Sequence, residues 1–160
     1  AALFGFVYVA VMLSFLYQTR MLPVEGKDSS VLYWLIFICS WGCDTCAYAV
    51  GILIGKHKMA PVLSPKKSIE GGIGGVVGAA LLGYLYGTFF TPSAMGCAVF
   101  CAAGAVLSQI GDLAASAIKR NHNIKDYGHL IPGHGGILDR FDSVIFTAPV
   151  IYILAAMVIH

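Results

Sequence analysis

The sequence is short of charged side chains. Only 11% of its 160 residues are charged, whereas 58% are hydrophobic, and the mean hydropathy is +0.80. Soluble domains carry about 25% charged residues, so the scarcity excludes an ordinary soluble domain and predicts a membrane protein. The net charge of +2 is also too small to indicate nucleic acid as a partner.

Repeats, low-complexity tracts and abrupt changes of composition are also missing, which predicts a single domain over residues 1–160. The first apolar stretch has no basic residues before it and no obvious cleavage site. A secretory signal peptide has a basic region before its apolar stretch and a cleavage site after it. We therefore interpret this stretch as a spanning helix.

The five cysteines lie in apolar stretches that have no histidine nearby. Cys43 and Cys46 form a C-x-x-C pair, and Cys97 and Cys101 are one helical turn apart. This spacing allows a zinc or redox site, but cysteine is also a small residue that packs well between helices. We favour packing because the surroundings are hydrocarbon.

The apolar stretches predict how often the chain crosses the membrane. About 20 residues of helix span roughly 30 Å of hydrocarbon. Five stretches approach that length, at 1–17, 31–55, 72–90, 94–118 and 143–159. The predicted fold class is therefore all-α, a polytopic transmembrane helical bundle of about five spanning helices.

Lysine and arginine are concentrated in two connections. Eight of the ten lie in 56–71 and 119–142, and cytoplasmic loops carry an excess of these residues. We therefore predict that both basic loops are cytoplasmic, with the amino end inside and His160 outside.

Glycines recur at small-xxx-small spacing in the third span, a spacing that lets helix backbones approach closely. The partner of this span can be another helix of the same chain or a second copy, so a homodimer stays open. The glycine pairs are Gly71/Gly75, Gly74/Gly78 and Gly83/Gly87.

Asp44 and Asp112 lie inside apolar spans, where an ionised carboxylate is costly unless it is paired or hydrated. We favour a functional role over the alternative, a protonated acid in an interhelical hydrogen bond. Helical spacing places Asp112 on one face with Ser108 and Ser116, and this face leads to Lys119 and Arg120. Small and polar residues likewise share the face of Asp44, so the two faces could meet around a hydrated groove.

The segment 116–142 is a hydrophilic island in this apolar chain. Its cations can neutralise phosphates, its glycines let backbone N–H groups approach phosphate oxygens, and its paired aspartates suit a hard divalent ion. This chemistry fits a metal-bound, multiply phosphorylated substrate. The island contains Ser116, Lys119, Arg120, Lys125, Asp126, Gly133, His134, Gly135, Gly136, Asp139, Arg140 and Asp142. The other basic loop, with Lys66 and Lys67, is either a phosphate clamp or a solvated loop.

These residues resemble the signature of the phosphatidate cytidylyltransferase (CDP-diacylglycerol synthase) family. The signature joins a serine, Lys-Arg, Lys-Asp, His-Gly-Gly and Asp-Arg-x-Asp, and 116–142 holds every element. Segments 44–48 and 64–71 also resemble family motifs, except that Cys46 replaces a glycine. Family members carry further membrane helices before this region, so we expect the chain to correspond to the C-terminal portion.

The resemblance implies an enzyme of a bacterial inner membrane that converts CTP and phosphatidic acid to CDP-diacylglycerol and pyrophosphate. It implies magnesium as cofactor, with a second cation left open. It also implies that Asp112 and Asp139 bind metal with Asp142 beside them. We expect phosphate binding by Lys119, Arg120 and Arg140, and a hydrogen bond or an orienting contact from His134.

The resemblance also implies which residues bind substrate. We expect backbone donors at Gly133, Gly135 and Gly136, and substrate contacts from Asp44, Lys66, Lys67, Ser116 and Lys125. Asp126 is expected to orient a neighbouring cation. The alternatives are a CDP-archaeol synthase, a polyprenol or phytol kinase, and a membrane transporter. Transport would not explain the cluster of cations and glycines in one loop.

Overall fold

Each apolar stretch forms a helix in the computed structural model, which describes residues 6–23, 29–61, 63–122, 124 and 138–159. The first helix, α1, has a π-helical stretch Phe6–Val11 that continues as Met12–Arg20. The second, α2, is Ser30–Ile54 and contains a π-helical segment Ile38–Gly42. The others are α3, Ile69–Phe90, α4, Ala94–Asn121, and α5, Leu138–Ile159. The all-α helical bundle is confirmed.

Three helices are long and apolar enough to cross a membrane, namely α2, α3 and α4. In α5 the apolar part is shorter, Phe141–Met157, and α1 is described only from Phe6. The chain is therefore an integral membrane protein. Only three of its five predicted spans meet the length of a membrane crossing within the described residues.

Two predicted boundaries were wrong. The connection 56–71 holds an antiparallel hairpin of β1, Lys58–Ala60, and β2, Ser64–Ser68, and the first turn of α3. Asp139 and Asp142 were placed in a loop, but both stand in the first turns of α5. A helix fixes side-chain direction through its 3.6-residue period, so these carboxylates are held more rigidly than loop residues.

The helices pack in a chain of neighbours. α3 lies between α2 and α4, α4 packs on α5, and α5 packs on α1. The middle of α2 also contacts α4 and α5. Polar residues on α2, α4 and α5 therefore face one another near one end of the bundle.

The glycines of α3 pack within this chain. A Cβ on Gly71 would lie 2.7 Å from the carbonyl oxygen of Ala47 on α2, and one on Gly83 would lie 2.9 Å from the carbonyl oxygen of Cys97 on α4. Real Cβ atoms do not come this close to backbone, so only glycine fits. The same holds in kind for the other predicted glycines, which face α2 or α4: Gly74, Gly75, Gly78 and Gly87. The open question of their partner is answered for this face, because both partners are intrachain.

Substituting Gly83 by alanine is expected to lower the free energy of unfolding by about 1–3 kcal/mol, the usual cost of overpacking. The new methyl would also meet Cys101 Sγ at 2.5 Å. Thermal unfolding in detergent measures the effect. The control is Gly42→Ala, whose methyl meets the flexible tip of Leu82 at 3.0 Å and makes an ordinary contact with Ile38 Cγ2 at 3.8 Å. An equal loss of stability in both variants would contradict the close approach of α3 to α4.

The cysteines pack as small residues. All five are free thiols. Cys43 Sγ lies 3.8 Å from the carbonyl oxygen of Ala105 on α4, whereas Cys46 lies against Gly78 on α3. Cys43 also lies beside Gly75 of α3, so both members of the C-x-x-C pair fill contacts between helices, which agrees with the packing interpretation.

Candidate active site

A cavity of about 560 Å³ opens between α2, the hairpin, the start of α3 and α4. Asp44 from α2 and Asp112 from α4 both line it. The predicted meeting of their two polar faces is therefore confirmed. A π-helical segment ends at Gly42, two residues before Asp44, and such segments occur often at functional sites because they shift the side-chain register of a helix.

The hairpin covers this cavity with lysines. Lys67 Nζ donates to Asp112 Oδ2, and Lys58 and Lys66 also line the cavity. The second basic loop is thus folded against the site, as the clamp interpretation requires. An ammonium group beside a half-buried carboxylate neutralises a charge that would otherwise be costly to desolvate.

Glu70, in the first turn of α3, anchors the base of the hairpin. Its carboxylate accepts hydrogen bonds from the backbone N–H of Lys56 at 3.2 Å, the N–H of His57 at 3.2 Å, and His57 Nδ1 at 2.6 Å. Ser68 caps the same helix by accepting from the N–H of Gly71 at 3.1 Å. These contacts fix the strand that carries Lys66 and Lys67.

Lys119 joins α4 to the first turns of α5. Its Nζ donates to Asp139 Oδ1 at 2.9 Å and lies 3.6 Å from Asp142 Oδ2. The three side chains are nearly buried, at 11%, 5% and 10% exposure for Lys119, Asp139 and Asp142 respectively. Lys119 also interacts electrostatically with Asp112. Aspartates from α4 and α5 therefore converge at the same end of the bundle.

A second cavity, of about 330 Å³, lies on the other side of β2. Ser116, Lys119 and Arg120 of α4 line one wall, and Ser64 and Lys66 of the hairpin line the other. Lys66 faces both cavities. The two basic connections of the sequence therefore meet at one end of the protein, around one cavity lined by cations and another lined by both aspartates and lysines.

The carboxylates fit a hard cation. Within the described residues no three His, Cys, Asp or Glu side chains form a ready-made metal cluster. However, ammonium groups stand where a cation would be held: Lys119 beside Asp139 and Asp142, and Lys67 on Asp112. The negative charges of Asp112 and Asp44 also act on Asp142. Oxygen ligands with an excess of negative charge are what Mg²⁺ prefers.

Several predicted site residues fall outside the part of the chain that the structure describes. These are Lys125, Asp126, Gly133, His134, Gly135 and Gly136, together with the side chain of Arg140. Their assigned roles stay predictions.

Gln109 on α4 is a site residue that sequence reasoning missed. Its Nε2 donates to the carbonyl oxygen of Gly72 at 2.9 Å and approaches Cys43 Sγ at 3.3 Å, and the residue lines the same cavity as Asp44 and Asp112. The signal was present, because an amide inside an apolar span needs hydrogen-bonding partners as a carboxylate does. Lys58 was also missed, although it belongs to the same basic loop as Lys66.

Comparison with known proteins adds an independent line of evidence. A family model described as "Cytidylyltransferase family" matches residues 1–158. A phosphatidate cytidylyltransferase of Staphylococcus aureus (strain COL) is 43% identical over 150 residues, which cover 92% of this chain and 55% of the relative.

Two further relatives carry the same name. The protein of Staphylococcus haemolyticus (strain JCSC1435) is 40% identical over 152 residues, or 92% of this chain and 55% of the relative. That of Staphylococcus saprophyticus subsp. saprophyticus is 38% identical over 156 residues, or 95% and 57%. The chain spans about half the length of the curated relatives it matches.

Proposed function

The chain belongs to the cytidylyltransferase family, and from this membership and the site geometry we propose that it transfers CMP from CTP to phosphatidic acid. The products are CDP-diacylglycerol and pyrophosphate. The relatives named phosphatidate cytidylyltransferase, at 38% to 43% identity, support this substrate pair. The single observation that carries the proposal is the pair of adjoining cavities that share Lys66: one is lined by cations, and the other by two aspartates together with lysines.

The reaction explains why the site has many charges and no obvious nucleophile. A phosphate oxygen of phosphatidic acid forms a bond to the α-phosphorus of CTP, and the bond from that phosphorus to the α,β-bridging oxygen breaks. The electron pair leaves with pyrophosphate. A phosphate monoester is nucleophilic near neutral pH, so the protein's tasks are to neutralise repulsion between two anions and to align them.

The residues divide these tasks by position. Lys66, Lys119 and Arg120 surround the basic cavity and can neutralise phosphate oxygens, and arginine can do so with two parallel hydrogen bonds. Ser116 offers a hydroxyl in the same wall. Lys67 releases Asp112 when a phosphate replaces that carboxylate as its partner. Strand β2, which lies between the cavities, is where we place the meeting of the two substrates' phosphates.

Magnesium would be held by Asp112 and Asp139, with Asp142 beside them and Asp44 facing the same cavity as Asp112. When bound, the ion would polarise phosphoryl oxygens and neutralise charge that develops on them. The lysines that now contact these carboxylates would then turn to substrate phosphates. A second cation stays open.

Labelled CTP tests the proposed function. Membranes expressing this chain, given phosphatidic acid and Mg²⁺, are expected to move label from the α-phosphorus of CTP into lipid, and to move none from the γ-phosphorus. Omitting Mg²⁺ or phosphatidic acid should abolish incorporation. Lipid labelled from the γ-phosphorus would instead indicate a lipid kinase, and absence of both labels would contradict nucleotidyl transfer by this chain.

We also propose that the end of the bundle with both cavities faces the cytoplasm of a bacterium. The support is the positive-inside rule, the bacterial source of the relatives and the location of CTP. Association into a homodimer stays a prediction. The glycine pairs that could have supported it pack against helices of the same chain.

A further inference from the structure

Three helices of the site repeat one arrangement, in which a buried serine lies four residues from an aspartate and one turn deeper in the bundle. Four residues of helix correspond to about 6 Å along its axis. In each helix the aspartate is nearer the end that carries the hairpin and the basic connection. The pairs are Ser40 with Asp44 on α2, Ser108 with Asp112 on α4, and Ser143 with Asp139 on α5.

Two of these serines connect α2 to α5. Ser40 Oγ and Ser143 Oγ are 2.6 Å apart, and both residues are buried, at 0% and 1% exposure. Ser143 Oγ also donates to Asp44 Oδ2 at 3.4 Å, and the backbone N–H of Ser143 donates to Asp142 Oδ1 at 2.8 Å. Ser143 therefore contacts two of the four aspartates of the site.

The direction of this hydrogen-bond chain follows from the number of protons. A hydroxyl has one proton to donate, and an ionised carboxylate can only accept. The proton of Ser143 is directed to Asp44, so the proton between the two serines must come from Ser40. The chain runs from Ser40 to Ser143 to Asp44.

Ser108 shows that a buried serine in this layer need not take part. Its Oγ is fully buried and has no hydrogen-bond partner within the described residues. Among the three serines, only Ser40 and Ser143 belong to the hydrogen-bond chain that reaches Asp44.

We propose that Ser40 and Ser143 are positioning residues, whose hydroxyl chain holds Asp44 of α2 in a fixed place relative to Asp142 of α5. The inference rests on the proposed function, in which Asp44 and Asp142 lie next to the carboxylates of Asp112 and Asp139 that would hold a divalent cation. Partners that orient metal-binding carboxylates typically change metal affinity 10- to 100-fold when they are removed. Neither serine needs to touch the cation or a substrate.

Binding of Mn²⁺ to the purified chain in detergent, followed by electron paramagnetic resonance, tests the inference without relying on activity. Ser143→Ala is expected to weaken Mn²⁺ binding about 10-fold, because Asp44 loses the hydrogen bond from Ser143. Ser40→Ala should weaken it less in the wild-type background and not at all further in the Ser143→Ala background, since Ser40 acts through Ser143. Ser143→Thr keeps the hydroxyl and should retain most of the affinity.

Thr147→Val is the matched control. Thr147 is fully buried one turn deeper on α5, and its hydroxyl donates only to the carbonyl oxygen of Ser143, at 2.8 Å. Removal of this hydroxyl should leave Mn²⁺ affinity within about 2-fold of the wild type, if affinity depends on the aspartate contact and not on burial of a hydroxyl. A 10-fold loss in Thr147→Val would overturn the inference.

The outcomes separate this inference from the proposed function. Wild-type affinity in both Ser143→Ala and Ser40→Ala overturns the inference, while CMP transfer by the wild type would leave the proposed function standing. A wild-type chain that transfers CMP without binding Mn²⁺ overturns the metal role of the aspartates and this inference with it. A wild-type chain that binds Mn²⁺ and shows the serine effects, but transfers no CMP, supports the inference and contradicts the proposed function.

Discussion

Replacing Asp139 by asparagine is expected to reduce CDP-lipid formation at least 100-fold while leaving expression and membrane insertion intact. Asparagine has the same shape, but it carries no charge to hold a cation and leaves Lys119 with one less anionic partner. Asp139 Oδ1 accepts from Lys119 at 2.9 Å, and its side chain is only 5% exposed. Loss of one group that stabilises charge in the transition state commonly costs 10²- to 10³-fold in rate.

The measurement is incorporation of label from the α-phosphorus of CTP into lipid, at equal amounts of membrane-inserted protein. The control is Asp28→Asn, which changes a carboxylate that none of the site motifs contains. It should keep activity within about 2-fold of the wild type. Near-normal turnover by Asp139→Asn would remove Asp139 from the mechanism.

Replacing Lys67 by methionine is expected to lower kcat/KM for CTP by about 10- to 100-fold. Lys67 Nζ contacts Asp112 in the cavity that Asp44 also lines, and it is the cation that we expect to bind a substrate phosphate instead. A hydrogen bond to a charged group contributes about 1.5–3 kcal/mol, and each 1.4 kcal/mol corresponds to a factor of ten. Methionine keeps an unbranched side chain that is one atom shorter, and it removes the charge and the hydrogen-bond donors.

Lys56→Met is the matched control for this variant. Lys56 belongs to the same basic connection and is exposed, and the structure uses its backbone N–H toward Glu70. Its kcat/KM should stay within about 3-fold of the wild type. A double variant with Asp112→Asn should lose less than the two single effects combined, because the two residues act on each other. Equal losses in Lys56→Met and Lys67→Met would indicate a general effect of positive charge and contradict a specific clamp.

The polar faces of α2 and α4 could be predicted from the sequence because helical periodicity is local. Asp112, Ser116 and Lys119 recur at spacings of three or four residues, which puts them on one side of any helix. The carboxylates at Asp44 and Asp112 were conspicuous for a separate reason, since charge inside an apolar span is costly. Both faces line the cavities as expected.

The hairpin could not be predicted, because the sequence of β2, Ser64–Ser68, has none of the alternating apolar pattern of a half-buried strand. Its pairing with β1 and the contacts of Glu70 with the N–H groups of Lys56 and His57 hold it instead. The start of α5 was also missed. A sequence motif that ends in Asp-Arg-x-Asp indicates chemistry, but it does not say whether a loop or a helix presents the two carboxylates.

The sequence by itself determined the membrane class, the helices and most of the residues that bear charge, because hydropathy and helical period depend on near neighbours along the chain. Only the tertiary structure decided which of those residues meet. Lys67 contacts Asp112 across 45 positions, and Ser40 contacts Ser143 across 103. Such contacts depend on how each helix is rotated about its axis and how closely it approaches its neighbour. In this bundle the glycines of α3 allow that approach, and no local pattern specifies the rotation.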